Sequence, residues 1–176
     1  GYIGSRTCVE LLESGHEVFV LDNLSNSTLK SIEAVKKITK KDVKVYIDDV
    51  HNKDKLIEIM QDEKIHACIH FAAFKAADES FEKEKEYYYN NVEGTRCLIE
   101  AMVTAQVKKL VFSSTAAVYG NKGSGIYCED METDPLSPYA KTKLICENMI
   151  KESTQANDIS AVVFRYFNVA GAHKSG

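Results

Sequence analysis

Two stretches of this chain carry side chains whose types and spacing fit acid–base chemistry. In SPYAKTKLICE (137–147), Tyr139 and Lys143 stand four apart, so on a helix they share one face. A tyrosine with an ordinary pKa near ~10 is a poor base at neutral pH. A neighbouring ammonium, or a positive cofactor ring, favours its phenolate. That phenolate can take the proton of a carbinol while the carbon gives hydride to a cofactor. FSSTAAVYG (112–120) adds hydroxyls: Ser113, Ser114 and Thr115 follow a strand-like run. A hydroxyl there can reach the carboxyl edge of a sheet, where ligands bind, and hydrogen-bond the reacting oxygen. A tyrosine–lysine pair alone is common in helices. It gains meaning from the strand-end hydroxyls and from a glycine pair at the start of the chain.

That pair lies in GYIGSRTCVELLESGHEVFVLDN (1–23), where Gly1 and Gly4 lead into an apolar-periodic helix and a strand ends at Asp22. In a dinucleotide site, glycine lets the backbone approach the pyrophosphate, and the helix N-terminus faces it with free N–H groups. A carboxylate after the second strand accepts hydrogen bonds from the adenosine ribose, which favours NAD over NADP. Asp22 fits that place, and Asn23 and Leu24 offer no charge for a 2′-phosphate. On these residues alone, a helix-starting turn and a strand-ending aspartate fit equally well.

The elements that must position these groups alternate. Helices are expected at about 5–14 (stopped by Gly15), 29–40, 53–62, 84–105 and 138–156. Strands are expected at 17–22, 43–47, 67–73, 109–114 and 160–166, with a loop over 115–136. Ser137 is a good N-cap for the last helix, and Pro138 suits its first turn. The runs VFVL, CIHFAA and LVFSS are nearly continuous in apolar or small residues, as burial on both faces requires. The expected fold is α/β, a Rossmann-type doubly wound parallel sheet flanked by helices.

Composition sets bounds. The chain has 176 residues, is 44% hydrophobic and 27% charged, and carries a net charge of −4. That is ordinary for a globular protein and gives no footprint for nucleic acid or an anionic membrane. No apolar run reaches membrane-spanning length. Cys8, Cys68, Cys97, Cys128 and Cys146 are odd in number and widely spaced, so they read as reduced core or near-core thiols of a cytoplasmic protein. His16, His51, His66, His70 and His173 have no metal-binding spacing, so no metal is expected. His70 reads as a hydrogen-bonded core histidine.

Taken together, the motifs resemble the extended short-chain dehydrogenase/reductase family, and within it the UDP-glucose 4-epimerases. Besides GYIG and SPYxKxK, the resemblance includes LDNLSNS, HFAAFKAADES, YYNNVEGT, FSSTAAVYG and RYFNVAGAHKSG, and covers essentially the whole chain. It implies that Gly1 and Gly4, with Tyr2 and Ile3 between them, belong to the pyrophosphate loop. Asp22 and Asn23 would hold the adenosine ribose, and Asp49 with Val50 would border adenine. Phe71, Ala72, Ala73, Lys75, Asn90 and Ser113 would line NAD. Thr115 and Tyr139 would meet the sugar 4-hydroxyl, with Tyr139 as base and Lys143 as its electrostatic partner and a ligand of the nicotinamide ribose. Phe167 would border both NAD and the UDP-sugar, with Lys75 and Asn168 also on the substrate side. A homodimer is the family's usual form.

Some residues depart from the family pattern. Thr115 stands where serine is frequent, Ala73-Phe74 replaces Gly-Leu, and Ala140 and Thr142 replace Gly and Ser. The family's first, central strand does not precede Gly1, and its nucleotide-sugar domain does not follow Gly176. Residues 1–176 are therefore expected to be a partial NAD-binding domain, truncated at both ends and inactive by itself. Two rivals remain. A nucleotide-sugar dehydratase would place an acid and a base directly after the strand-end threonine, where Ala116 and Ala117 stand instead. A non-catalytic dinucleotide-binding protein would have lost the Tyr/Lys/hydroxyl set.

Overall fold

The structure, a computed structural model, describes residues 1–121 and 125–173. Positions 122–124 of the long loop and 174–176 of the last motif lie outside them. The chain forms two compact units: Gly1–Val50 with the described residues from Asn168 on, and His51–Phe167.

The smaller unit holds α1 (Tyr2–Glu13), β1 (Phe19–Leu21), α2 (Lys30–Thr39) and β2 (Lys44–Tyr46). β1 and β2 pair in parallel, Phe19 beside Lys44 and Leu21 beside Tyr46. The helical spacing of apolar residues in α1 brings Cys8, Val9 and Leu12 to one buried face, where they pack with Val35, Val43 and the half-buried Val18, Val20 and Val45.

The larger unit holds α3 (Lys53–Asp62), β3 (Cys68–His70), two single-turn helices α4 (Glu79–Glu82) and α5 (Glu84–Tyr87), a π-helical segment (Tyr88–Glu93), α6 (Gly94–Thr104), β4 (Lys109–Thr115), a 3-10 turn (Ala116–Tyr119), α7 (Pro138–Ala156) and β5 (Ser160–Tyr166). Its sheet is parallel, in the order β3-β4-β5. Leu110 and Phe112 of β4 point into a core shared with Leu98, Ala101 and Met102 of α6 and Cys146 and Ile150 of α7.

The strand–helix alternation is as expected, and α3, α7 and β5 keep their expected bounds. Several expectations change. The expected 84–105 helix is broken by a π segment, because buried Asn91 turns its side chain to partners outside the helix. The expected 67–73 strand shrinks to Cys68–His70, because the backbone after His70 turns away to be held by that same asparagine. The burial on both faces expected of VFVL, CIHFAA and LVFSS holds only in part: β1 is half-buried throughout, β3 is buried only at His70, and buried and half-buried residues alternate along β4 from Leu110 to Ser114; β5 exposes Val162 and Phe164 on one face. Four cysteines are buried or half-buried, whereas Cys128 is exposed because it lies in the loop and not in an element.

Gly120 ends the 3-10 turn at φ 64° and ψ −140°, a backbone region that side chains avoid. A Cβ there would lie 2.1 Å from the Asp134 carbonyl oxygen, while the Asp134 N–H donates to the Val118 carbonyl at 2.9 Å. Both sides of this clamp are backbone and cannot yield. Gly15 also has positive φ (88°), but a Cβ there meets nothing within 4 Å. Gly120→Ala should therefore cost about 3 kcal/mol or more, and Gly15→Ala only about 1 kcal/mol. Urea unfolding of the whole protein checks this, and equal losses would contradict it.

Candidate active site

The larger unit gathers Ser113, Thr115, Tyr139 and Lys143 at the carboxyl end of β4. Helix α7 starts as its residues dictate: Ser137 accepts the Ala140 N–H at 3.2 Å, and Pro138 fills the first position. The Tyr139 N–H is not left to water; it donates at 3.1 Å to the hydroxyl of Ser80, a residue with no exposed surface. The ring of Tyr139 meets buried Tyr87 edge-on, centroids 6.5 Å apart. The aromatic anchor and the serine thus fix where α7 begins and where its tyrosine points.

Lys143 lies one turn further along and is 4% exposed. Its ammonium donates to the Ser113 carbonyl at 2.8 Å and sits 4.8 Å from the centre of the Phe112 ring. Burial pulls its pKa down to about 8, against the pull of Cys146 and Glu147, which raise it. Burial pushes the Tyr139 phenol up, and a hydrogen bond with Thr115 pulls it back. The Thr115 hydroxyl also accepts the Ala117 N–H at 3.2 Å, so it caps the 3-10 turn while facing the phenol. A phenol, a hydroxyl and an ammonium therefore converge within one turn of helix and one strand end.

The resemblance implies Asn90 for the NAD site, but its neighbour makes the connections that brace it. Asn91, 2% exposed, accepts the Phe74 N–H at 2.8 Å and the Asn90 amide at 2.9 Å. It donates to the Phe74 carbonyl at 3.0 Å and to the Thr142 hydroxyl at 3.1 Å. All four hydrogen-bonding positions of its amide are used. It ties the loop carrying Phe71, Ala72, Ala73 and Lys75 to the helix carrying Tyr139 and Lys143. A polar residue on the buried face of an otherwise apolar helix was the available signal. Phe71 and Ala73 are half-buried, Ala72 and Lys75 exposed, and Phe167 leans on the Tyr127 ring, centroids 5.7 Å apart.

In the smaller unit, Gly1 is the N-cap of α1, and Tyr2, Ile3 and Gly4 form its first turn, which contains no acidic residue. At the carboxyl ends of β1 and β2, the Asp22 carboxylate accepts the Leu24 N–H and the Ser27 hydroxyl, each at 2.8 Å. Asn23 donates to Asp49 at 2.7 Å. Val50 is buried and Asn168 exposed. Among the described residues, no cluster of histidine, cysteine or carboxylate groups could hold a metal ion.

Comparison with known proteins bears directly on this arrangement. Residues 1–176 match the epimerase family model, described as the NAD dependent epimerase/dehydratase family. The chain is 46% identical over 177 residues to a UDP-glucose 4-epimerase of Bacillus subtilis, and 41% identical over 177 residues to one of Dictyostelium discoideum. All of this chain is covered in both, against 52% of each relative, so it spans about half the length of the curated relatives it matches. Among solved structures, it matches a UDP-glucose 4-epimerase from Stenotrophomonas maltophila, crystallised with NAD and formylated UDP-arabinopyranose, at a TM-score of 0.97 and 38% identity, over 99% of this chain and 52% of that one. A Bifidobacterium longum UDP-glucose 4-epimerase in complex with NAD+ and UDP matches at 0.95 and 38%, over 98% and 52%.

One consequence of this packing can be measured without a substrate. His70, as expected, is a core histidine: 5% exposed, with its Nε2 3.0 Å from the Thr95 hydroxyl. Burial first, then the Lys143 ammonium, pull its pKa down to about 3. The unfolded chain takes up this proton near pH 6.5 and the folded chain does not. Stability is therefore intact above about 6.5 and is lost progressively as pH falls towards 3. Between pH 6.5 and 5 the loss should reach about 2 kcal/mol. His70→Phe should remove most of that pH dependence in urea unfolding; an unchanged slope would contradict the assignment.

Proposed function

The chain belongs to the NAD dependent epimerase/dehydratase family, and from that premise we propose that its protein interconverts UDP-glucose and UDP-galactose, with bound NAD, by transient oxidation at sugar carbon 4. The observation that carries this reading is the convergence of Thr115, Tyr139 and Lys143 at the end of β4. Ala116 and Ala117 open the following turn, so no carboxylate stands directly after Thr115 to expel a hydroxyl, which favours epimerisation over dehydration.

The residues present fit the cofactor. The first turn of α1 carries no acid, and the N–H groups of Tyr2, Ile3 and Gly4, behind the N-cap Gly1, would face a diphosphate. Asp22 and Asn23 would hold the adenosine ribose, and Asp49 and Val50 would border adenine. Phe71, Ala72, Ala73, Lys75, Asn90, Ser113, Tyr139, Lys143 and Phe167 would line the remainder. When bound, NAD supplies the acceptor that takes the hydrogen of carbon 4 and gives it back to the opposite face, together with a positive nicotinamide ring.

The chain's own groups handle the proton. The Tyr139 phenolate takes it from the 4-hydroxyl and later returns it to the ketone oxygen, while the Thr115 hydroxyl steadies that oxygen by hydrogen bonding. The Lys143 ammonium favours the phenolate and would bind the nicotinamide ribose. Lys75, Phe167 and Asn168 would hold the nucleotide-sugar while its ketose turns over between the two transfers. The family also carries the proposal of a homodimer, through the helical segments over 84–105 and helix α7, and of a cytoplasmic location. No helix among the described residues is long and apolar enough to cross a membrane.

The whole protein should form UDP-glucose from UDP-galactose. Tyr139→Phe should lower kcat by about 10²- to 10⁴-fold while the thermal midpoint stays unchanged. A Tyr139→Phe protein turning over at the parental rate would overturn the assignment of the base.

A further inference from the structure

The proposed mechanism leaves one buried carboxylate unused. Glu147 lies one turn beyond Lys143 on α7 and is 8% exposed. It accepts the Ser114 hydroxyl. The Arg165 guanidinium donates to it through Nε, 3.2 Å from both oxygens, and through Nη2 at 2.7 Å. In the parallel register Ser114 stands beside Arg165, so β4 and β5 present the two groups to α7 together. Arg165 continues to the Tyr119 hydroxyl at 3.0 Å and the Glu129 carbonyl at 3.2 Å. One carboxylate therefore ties α7 to β4, to β5 and to the turn after Thr115.

Stability alone is a weak reason to bury such a pair, because well-packed apolar residues often do as well. Position is a stronger one. Ser114 is flanked by Ser113, whose carbonyl holds the Lys143 ammonium, and by Thr115, whose hydroxyl faces Tyr139. Side chains alternate along a strand, so Ser114 shares with Phe112 the buried face of β4 that meets α7, and it is the side chain by which Glu147 grips this strand end. We propose that Glu147 is a positioning residue for the Tyr139–Lys143 pair: through Ser114 and Arg165 it holds the end of β4 in register with α7. Its effect on turnover rests on the epimerase reading; its geometry does not.

The charges around the pair are few. Lys143 is faced by His70 from β3 and by Cys146 and Glu147 from its own helix. Glu147 is faced by Arg165 from β5 and by Lys143 and Cys146. Of these, Cys146 and then the Glu147 carboxylate favour the ammonium, and the ammonium disfavours the charged form of His70. Removing the carboxylate should therefore move Lys143 to a lower pKa.

The test uses the whole protein with Glu147→Gln, which keeps the shape and removes the charge. The expected result is a kcat about tenfold lower, a KM for UDP-galactose within about twofold of the parent, and an alkaline limb of kcat displaced to lower pH. Ser114→Ala should lower kcat and leave that limb in place. The titration of Lys143 is read separately by NMR on protein with ¹³C-labelled lysine, its signal identified by Lys143→Arg. It too should move to lower pH in Glu147→Gln. A folded Glu147→Gln protein in which the limb and the titration both stay at parental values overturns the proposal, whatever its rate. A parent that does not interconvert UDP-sugars would instead refute the epimerase reading, and the NMR titration would still decide the role of Glu147. If Glu147→Gln does not fold because Arg165 is left unpaired, Glu147→Gln with Arg165→Met removes both charges. It should show the same displaced titration, and a parental one would overturn the proposal.

Discussion

The larger unit is organised around one costly constraint, an ammonium buried at the end of a strand. Lowering the Lys143 pKa from its ordinary 10.5 to about 8 disfavours the charged form by on the order of 3 kcal/mol. What keeps the charge there is local: a backbone carbonyl at 2.8 Å, an aromatic face, and a carboxylate one turn away. Each of these must be held in place by something else. Ser113 is held by the β4 ladder, Phe112 by the core, and Glu147 by Ser114 and Arg165. The packing of β4 and β5 against α7 thus decides where this nitrogen sits.

The phenol of Tyr139 faces the complementary problem. Burial pushes its pKa up, away from what a base needs, and the Thr115 hydroxyl opposes this. The positive ring of a bound cofactor would add to that opposition, so the base would be readied only when the cofactor is in place. Such coupling suits a reaction in which the same cofactor must remain bound from the first transfer to the second. Two anchors hold the start of α7: Ser80 accepts the Tyr139 N–H, and the Thr142 hydroxyl accepts from the Asn91 amide.

Much of this was legible in the residues. The serine–proline start of α7, the four-residue spacing of tyrosine and lysine, and the hydroxyls ending β4 are local signals, and all three survive folding unchanged. The parallel pairing followed from alternating apolar runs and helices. What escaped was long-range. Asn91 looked like one more polar residue in a helix, yet its partners lie 17 and 51 residues away. No periodicity shows that its amide breaks the helix into a π segment and shortens β3. The Ser114–Glu147–Arg165 tie escaped for the same reason, since its members are 33 and 18 residues apart. The exposed face of β5 also contradicts its apolar sequence, because apolar content alone does not say which neighbours a strand will find.

The most direct test of the central claim follows the hydrogen at sugar carbon 4. UDP-galactose deuterated at that carbon should give UDP-glucose that retains deuterium at carbon 4 in ordinary water, with a slowed first turnover. Retention with inversion is what transient oxidation by a bound acceptor requires. Loss of the deuterium to solvent would contradict the account, because it would mean that carbon 4 is deprotonated and not oxidised.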